Sequence, residues 1–242
     1  MSAQPAAPEV SIVIPVYNER PIVADSVAGL LLRLPDIAAS FEIILAENGS
    51  DDGTLDEARA LQMRYPAVRC IHLETPDYGR ALKAGILDAR GKYCICDEID
   101  LCDTDFYRSA LGLLRSDRAR MVVGSKLAPG ARDERPFVRN LASRVLSGML
   151  RIGAGFRGTD THGPKAFLWA DVVDVVKHCV VGQNLFASEL VIRAGRAGLK
   201  VVELPLTLRE KRNPTINLVR RVPRALYNIG RLIWIFRLRD KF

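Results

Sequence analysis

Two carboxylates one residue apart, Glu98 and Asp100, follow the apolar run Tyr93-Cys94-Ile95-Cys96. On an extended chain, side chains at i and i+2 leave on the same side, so both can reach one hard cation. A Mg²⁺ or Mn²⁺ held there with open coordination positions is what a nucleotide diphosphate needs to become a leaving group. The plain alternative is a strand end carrying two solvated acids. Asp97 is a rival in register, and alternation from Cys96 favours Glu98. Lys126, Lys165, Arg209 and Arg212 are cations whose head groups suit phosphate oxygens. Asp160, His162 and Glu189 are the groups able to take a proton from a hydroxyl. Each has a bland reading: a loop histidine is commonly hydrogen-bonded, and Glu189 stands one helical turn from Arg193.

These residues need a scaffold, and the hydrophobic pattern supplies one. Val10 to Val16 is a short β-branched run that reads as a buried strand. Strands are also expected at Phe41 to Ala46, Cys70 to Leu73, Lys92 to Cys96, Met121 to Ser125 and Val201 to Pro205. Helical spacing runs through Val23 to Leu34, Leu55 to Tyr65, Tyr78 to Ala89, Asn140 to Ile152 and Phe186 to Gly198. Alternation of strand and helix predicts right-handed βαβ units and an α/β fold with a mostly parallel sheet. Ligands of such sheets sit beyond the carboxyl ends of the strands. Three polar clusters fall there: Tyr17-Asn18-Glu19, Glu47 to Asp52, and Glu98 to Asp100.

With 242 residues, 48% hydrophobic and 26% charged, the chain has the makings of one sizeable core. Met1 to Pro8 lacks a basic start and an apolar segment, and reads as a short disordered lead. No run approaches the roughly 18 apolar residues of a membrane span. Five cysteines in buried-looking positions suggest a reducing, cytoplasmic setting. The formal charge of +7 is uneven. Thr207 to Phe242 carries ten Lys/Arg against Glu210 and Asp240, a net of +8 that leaves the rest at −1. Residues 207–242 therefore read as a basic arm with an anionic partner. A helix from about Pro223 would align Leu226, Ile229, Ile233 and Phe236 opposite Arg224 and Arg231, the pattern of a helix lying on anionic lipid. Packing of that apolar side on the sheet is the alternative. A nucleic-acid partner would suit the basic tail, but the body offers no aromatic and basic stacking surface, so none is expected.

The order Pro15-x-Tyr17-Asn18-Glu19, Gly49-Ser50-Asp51-Asp52-Gly53-Thr54, Tyr78-Gly79-Arg80-Ala81 and an acidic strand end resembles family 2 glycosyltransferases, and within them the dolichol- and polyprenyl-phosphate sugar transferases. The resemblance spans about residues 9 to 212. It implies a GT-A domain over 9–206 and a metal-dependent, inverting transfer of a hexose from a GDP- or UDP-linked sugar. The implied acceptor is a polyprenyl phosphate or other lipid-linked phosphate, met peripherally at the inner membrane face. It implies that Pro15, Tyr17, Glu19, Glu47, Asn48, Asp52, Glu98 and Lys126 bind the sugar nucleotide. Glu98 and Asp100 fall on the metal-binding motif. Asp100, Asp160 and Glu189 take catalytic positions, and Lys165, Arg209 and Arg212 meet the acceptor phosphate. The chain departs from the family with Glu47-Asn48 for two aspartates, with Glu98-Ile99-Asp100 for Asp-Ala-Asp, and with an Asp160–Lys165 loop one residue short. A soluble hydroxyl acceptor, and a sugar-nucleotide-binding protein without turnover, are the remaining alternatives.

Overall fold

The computed structural model describes residues 7–133, 137–182, 185–208 and 227–239. Its centre is a seven-stranded sheet in the order β3-β2-β1-β4-β7-β5-β8. The strands are β1 (Val10–Val16), β2 (Phe41–Glu47), β3 (Val68–His72), β4 (Tyr93–Cys96), β5 (Met121–Ser125), β7 (Lys165–Leu168) and β8 (Val201–Pro205). A separate short pair joins β6 (Arg132–Asp133) to β9 (Thr207–Leu208). The mostly parallel sheet expected from the sequence is present.

Alternation along the strands divides the core in two, because successive side chains of a strand face opposite layers. Ile12, Ile14, Ile43, Leu45 and Ile95 pack against α1 (Arg20–Arg33), α2 (Thr54–Arg64) and α4 (Thr104–Arg115). Val13, Ile44, Cys94, Cys96 and Phe167 face the other layer. There lie α3 (Tyr78–Asp88), α5 (Phe137–Ala154), α6 (Trp169–His178) and α7 (Phe186–Arg196). The helices α4 and α6 and the strand β7 are elements that hydrophobic periodicity did not predict.

β7 matters most for function. It runs antiparallel to both β4 and β5, so its first residue stands at the rim where its neighbours end. Lys165 thereby pairs with Cys96 on one side and Val123 on the other. The loop before it presses on β5: the Gly124 N–H donates to Pro164 O at 2.8 Å. A Cβ on Gly163 would lie 2.0 Å from the Gly124 carbonyl oxygen, so glycine is required at that approach.

Part of the basic arm is described. Residues 227–234 form α8, which runs into a π-helical turn at Ile235–Arg239. Its apolar side is a packing side: Ile229, Leu232, Ile235 and Phe236 are buried in the second core layer. Ile233 lies over Gly153, and the Arg196 guanidinium stacks 4.3 Å from the Phe236 ring. Of the two alternatives left by the sequence, the apolar side with Ile229, Ile233 and Phe236 packs inward, because α5 and α7 offer it an apolar bed. Leu226, like Arg209 and Arg212, lies outside the described residues. Among the described residues no helix is long and apolar enough to cross a membrane.

Candidate active site

At the carboxyl rim of β4 and β5 the chain encloses a cavity of about 170 Å³. Glu98, Lys126, Asp160, His162 and Lys165 line it, with Tyr78, Leu82 and Leu206 as apolar wall. Five of the residues singled out from the sequence thus meet across some 70 positions of chain. The space suits a sugar or a phosphate rather than a whole sugar nucleotide, since ligand pockets run to roughly 300–1,000 Å³.

The acids sit differently from the strand-end expectation. Extended structure stops at Cys96, and the chain turns at Glu98, whose carbonyl accepts the N–H groups of Leu101 at 3.0 Å and Cys102 at 3.2 Å. A turn, rather than the pleat of a strand, brings Glu98 and Asp100 together. Desolvation among its neighbours and the Asp100 charge push the Glu98 carboxyl above its ordinary value, against the pull of Lys165 and Lys126. Glu19 adds a further negative charge nearby. Asp97 is buried in the lining of the same cavity. It accepts the Tyr107 hydroxyl at 2.7 Å and the Asp103 N–H at 3.0 Å, and burial pushes its carboxyl up to about 7.

The cations are held as firmly. Lys126 Nζ pairs with Asp160 Oδ2 at 2.6 Å, both side chains being nearly buried. Burial raises the Asp160 carboxyl, but Lys126 and the His162 N–H outweigh it and hold the group below 3.8. Lys165 is buried, donates to Gly163 O at 2.8 Å, and is shifted downward by that burial. Beneath the loop, Glu203 of β8 accepts the Thr159 N–H and hydroxyl, both at 2.6 Å, and the Asp160 N–H at 3.2 Å. Thr159 Oγ1 also meets Ser125 Oγ at 2.6 Å. Glu203 therefore positions Asp160, which positions Lys126.

The chain as a whole resembles known proteins. The model of the family described as Glycosyl transferase family 2 matches residues 11–168. The chain belongs to glycosyl transferase family 2. Glycosyltransferase AglD of Haloferax volcanii is 29% identical over 99% of this chain, which spans only 39% of that protein's length. Undecaprenyl-phosphate mannosyltransferase of Micrococcus luteus is 31% identical, over 82% of this chain and 83% of its own. Among solved structures, glucosyl-3-phosphoglycerate synthase from Mycobacterium tuberculosis with Mn²⁺, uridine diphosphate and phosphoglyceric acid gives a TM-score of 0.69. That match has 18% identity and covers 98% of this chain and 81% of the other. The likeness is one of fold, and the architecture is GT-A.

Other residues expected to bind or react in this family 2 chain sit outside the cavity. Pro15 is buried in β1, and Tyr17 is exposed at its end. Glu47 is fully buried, accepting the Ser50 N–H at 2.7 Å and contacting His72 Nδ1 directly across the β2–β3 register. Asn48 accepts the Asp77 N–H at 2.7 Å. Asp52 accepts the Thr54 N–H at 2.9 Å and the Arg20 N–H at 3.2 Å. All three brace the loops that frame the cleft. Glu189 is a correction of another kind. Its carboxylate, with no exposed surface, accepts the N–H groups of Val180 at 3.0 Å and Val181 at 2.7 Å, and pairs with Arg193 at 2.8 Å. A carboxylate satisfied in this way, and absent from the cavity lining, is a structural brace rather than a base.

The Glu98–Asp100 pair passes the chemical test for a hard cation. Its donors are carboxylate oxygens only, and their mutual repulsion is the charge a divalent ion relieves. Among the described residues no group of three or more His, Cys, Asp or Glu is arranged to hold a metal by itself. That suits an ion which keeps waters and substrate phosphates as its remaining ligands.

Proposed function

We propose that the chain is a metal-dependent, inverting hexosyltransferase that moves a sugar from a nucleotide diphosphate to a polyprenyl phosphate at the cytoplasmic face of a membrane. The observation carrying this reading is the meeting of Glu98, Lys126, Asp160 and Lys165 in one cavity at the strand ends. Glu98 and Asp100 would hold Mg²⁺ or Mn²⁺, which when bound neutralises charge on the departing diphosphate. Lys126 and Lys165 present ammonium groups to phosphate oxygens. Glu19, Tyr17 and the braced Glu47–Thr54 turn frame the nucleotide.

An acceptor phosphate is already anionic at neutral pH, so alignment and charge stabilisation suffice. A hydroxyl acceptor would need a base, and of the three candidates His162 lines the cavity while the two carboxylates are committed to ion pairs. Glu189 is buried in a brace, and Asp160 is tied to Lys126 well below neutral pH. The names of relatives that act on polyprenyl or dolichol phosphate support the same choice of acceptor.

The test is a panel of UDP- and GDP-sugars incubated with polyprenyl phosphate, with and without Mg²⁺ or Mn²⁺. One sugar nucleotide should transfer, with chelation stopping the reaction and the product anomer opposite to the donor's. Retained configuration, or equal transfer under chelation, would reject the mechanism.

A further inference from the structure

Two neighbouring helices present a surface that this chemistry leaves unused. α5 buries Ser147, Leu150 and Ala154, and turns Leu141, Arg144, Val145, Arg151 and Ile152 outward. On α8 and the turn after it, Tyr227, Arg231, Trp234 and Arg237 face out at helical spacing. Ile152 is 82% exposed and Tyr227 72% exposed. The two stripes meet where Arg237 donates to the carbonyls of Ile152 at 2.9 Å and Gly153 at 3.0 Å. Neither 137–154 nor 227–239 contains an acidic residue.

We propose that these stripes form one docking surface for an anionic lipid bilayer. The proposal rests on the reading that the acceptor is lipid-linked, and names the face that meets the lipid. Single exposed apolar residues are ordinary, but five large ones on two packed helices make a patch. Its composition selects the occupant. Tyrosine and tryptophan settle at head-group level with the ring in the apolar boundary. Arginine lays its stem on that boundary and leaves its charge among lipid phosphates. A face with four arginines and no acid complements anionic lipid. The path to the site is short: six residues lead from Ala154 to Asp160, at most about 20 Å of extended chain. A lipid phosphate beneath Ile152 is thus near the loop that carries Asp160 and Lys165.

The test is sedimentation with phosphatidylcholine vesicles made with and without phosphatidylglycerol, using the whole chain. Removing Arg144 and Arg231 (R144A/R231A) should weaken binding to anionic vesicles on the order of twentyfold, from about fivefold per arginine. Ile152→Ser with Trp234→Ser should weaken it further. Circular dichroism should be unchanged, because all four side chains are exposed. Equal sedimentation of parent and variants would overturn the face, as would a parent that ignores anionic vesicles. Loss of a dimer in Trp234→Ser without vesicle binding would hand the face to a second copy and also overturn it. Transfer to a short-chain, water-soluble polyprenyl phosphate is measured in parallel, and the variants should match the parent. If no sugar nucleotide reacts while vesicle binding still responds to these substitutions, the proposed function fails and the docking face stands.

Discussion

Acids occupy two regions of this molecule and do different work in each. Around β1, β2 and α7, carboxylates and amides find N–H groups: Glu47 holds Ser50, Asn48 holds Asp77, Asp52 holds Thr54, and Glu189 holds Val180 and Val181. At the β4–β5 rim, Glu98 feels the Asp100 charge and faces Lys126 and Lys165 in the cavity. A strand-end acid with backbone donors in reach becomes a brace. One beside a like charge at a cavity rim, such as Glu98, is a place where a bound cation would relieve repulsion. Position in the sequence does not separate the two cases; partners do.

The widest contrast comes from Glu189→Ala. It takes the carboxylate partner from the buried Arg193, which should cost about 3–5 kcal/mol of stability by denaturant unfolding. Turnover per folded molecule should stay near the parent's, and a collapse of turnover in folded protein would move Glu189 into the chemistry. Asp100→Asn should do the reverse, lowering kcat about 10²–10³-fold with an unchanged melting temperature. Full turnover in that variant would remove Asp100 from the metal role.

Glu203→Gln sharpens the comparison at its boundary, since this brace serves the site. Loss of a charged acceptor should lower kcat about tenfold, while donor affinity by titration calorimetry holds. Equal weakening of donor binding would mean a general loss of structure. The smallest effect is in pH. Asp160 has a folded value below 3.8, so its ion pair stabilises the fold fully above that pH and loses its contribution as pH falls through the lower folded value. The stability gap between parent and Asp160→Asn should be flat above about pH 5 and close toward pH 2. A gap that widens on acidification would contradict the pairing.

Much of the frame was legible. β1, β5 and β8 fall where β-branched runs end at turns, and most helices start and stop within a few residues of their periodic stretches. α4 was legible in principle, because Asp103 caps it by accepting the Asp105 and Phe106 N–H groups. β7 was not. Its four residues abut α6 with no turn between them, and its antiparallel place between β4 and β5 is a tertiary fact. The cavity residues Glu98, Lys126, Asp160 and Lys165 were found through motif order. Glu203 and His72 were missed, because a lone polar residue in a strand gives no signal until its cross-strand partner is known. The sequence left the apolar side of α8 open between lipid and protein, because either side of an amphipathic helix can face protein, and α5 and α7 decided it.

Binding of the reactive sugar nucleotide, measured by titration calorimetry with Mn²⁺ against chelator in the parent and in Asp100→Asn, tests the central claim most directly. The account predicts Mn²⁺-dependent binding in the parent, and in Asp100→Asn only the weak binding that remains under chelation. Equal, Mn²⁺-dependent affinity in both proteins would contradict it.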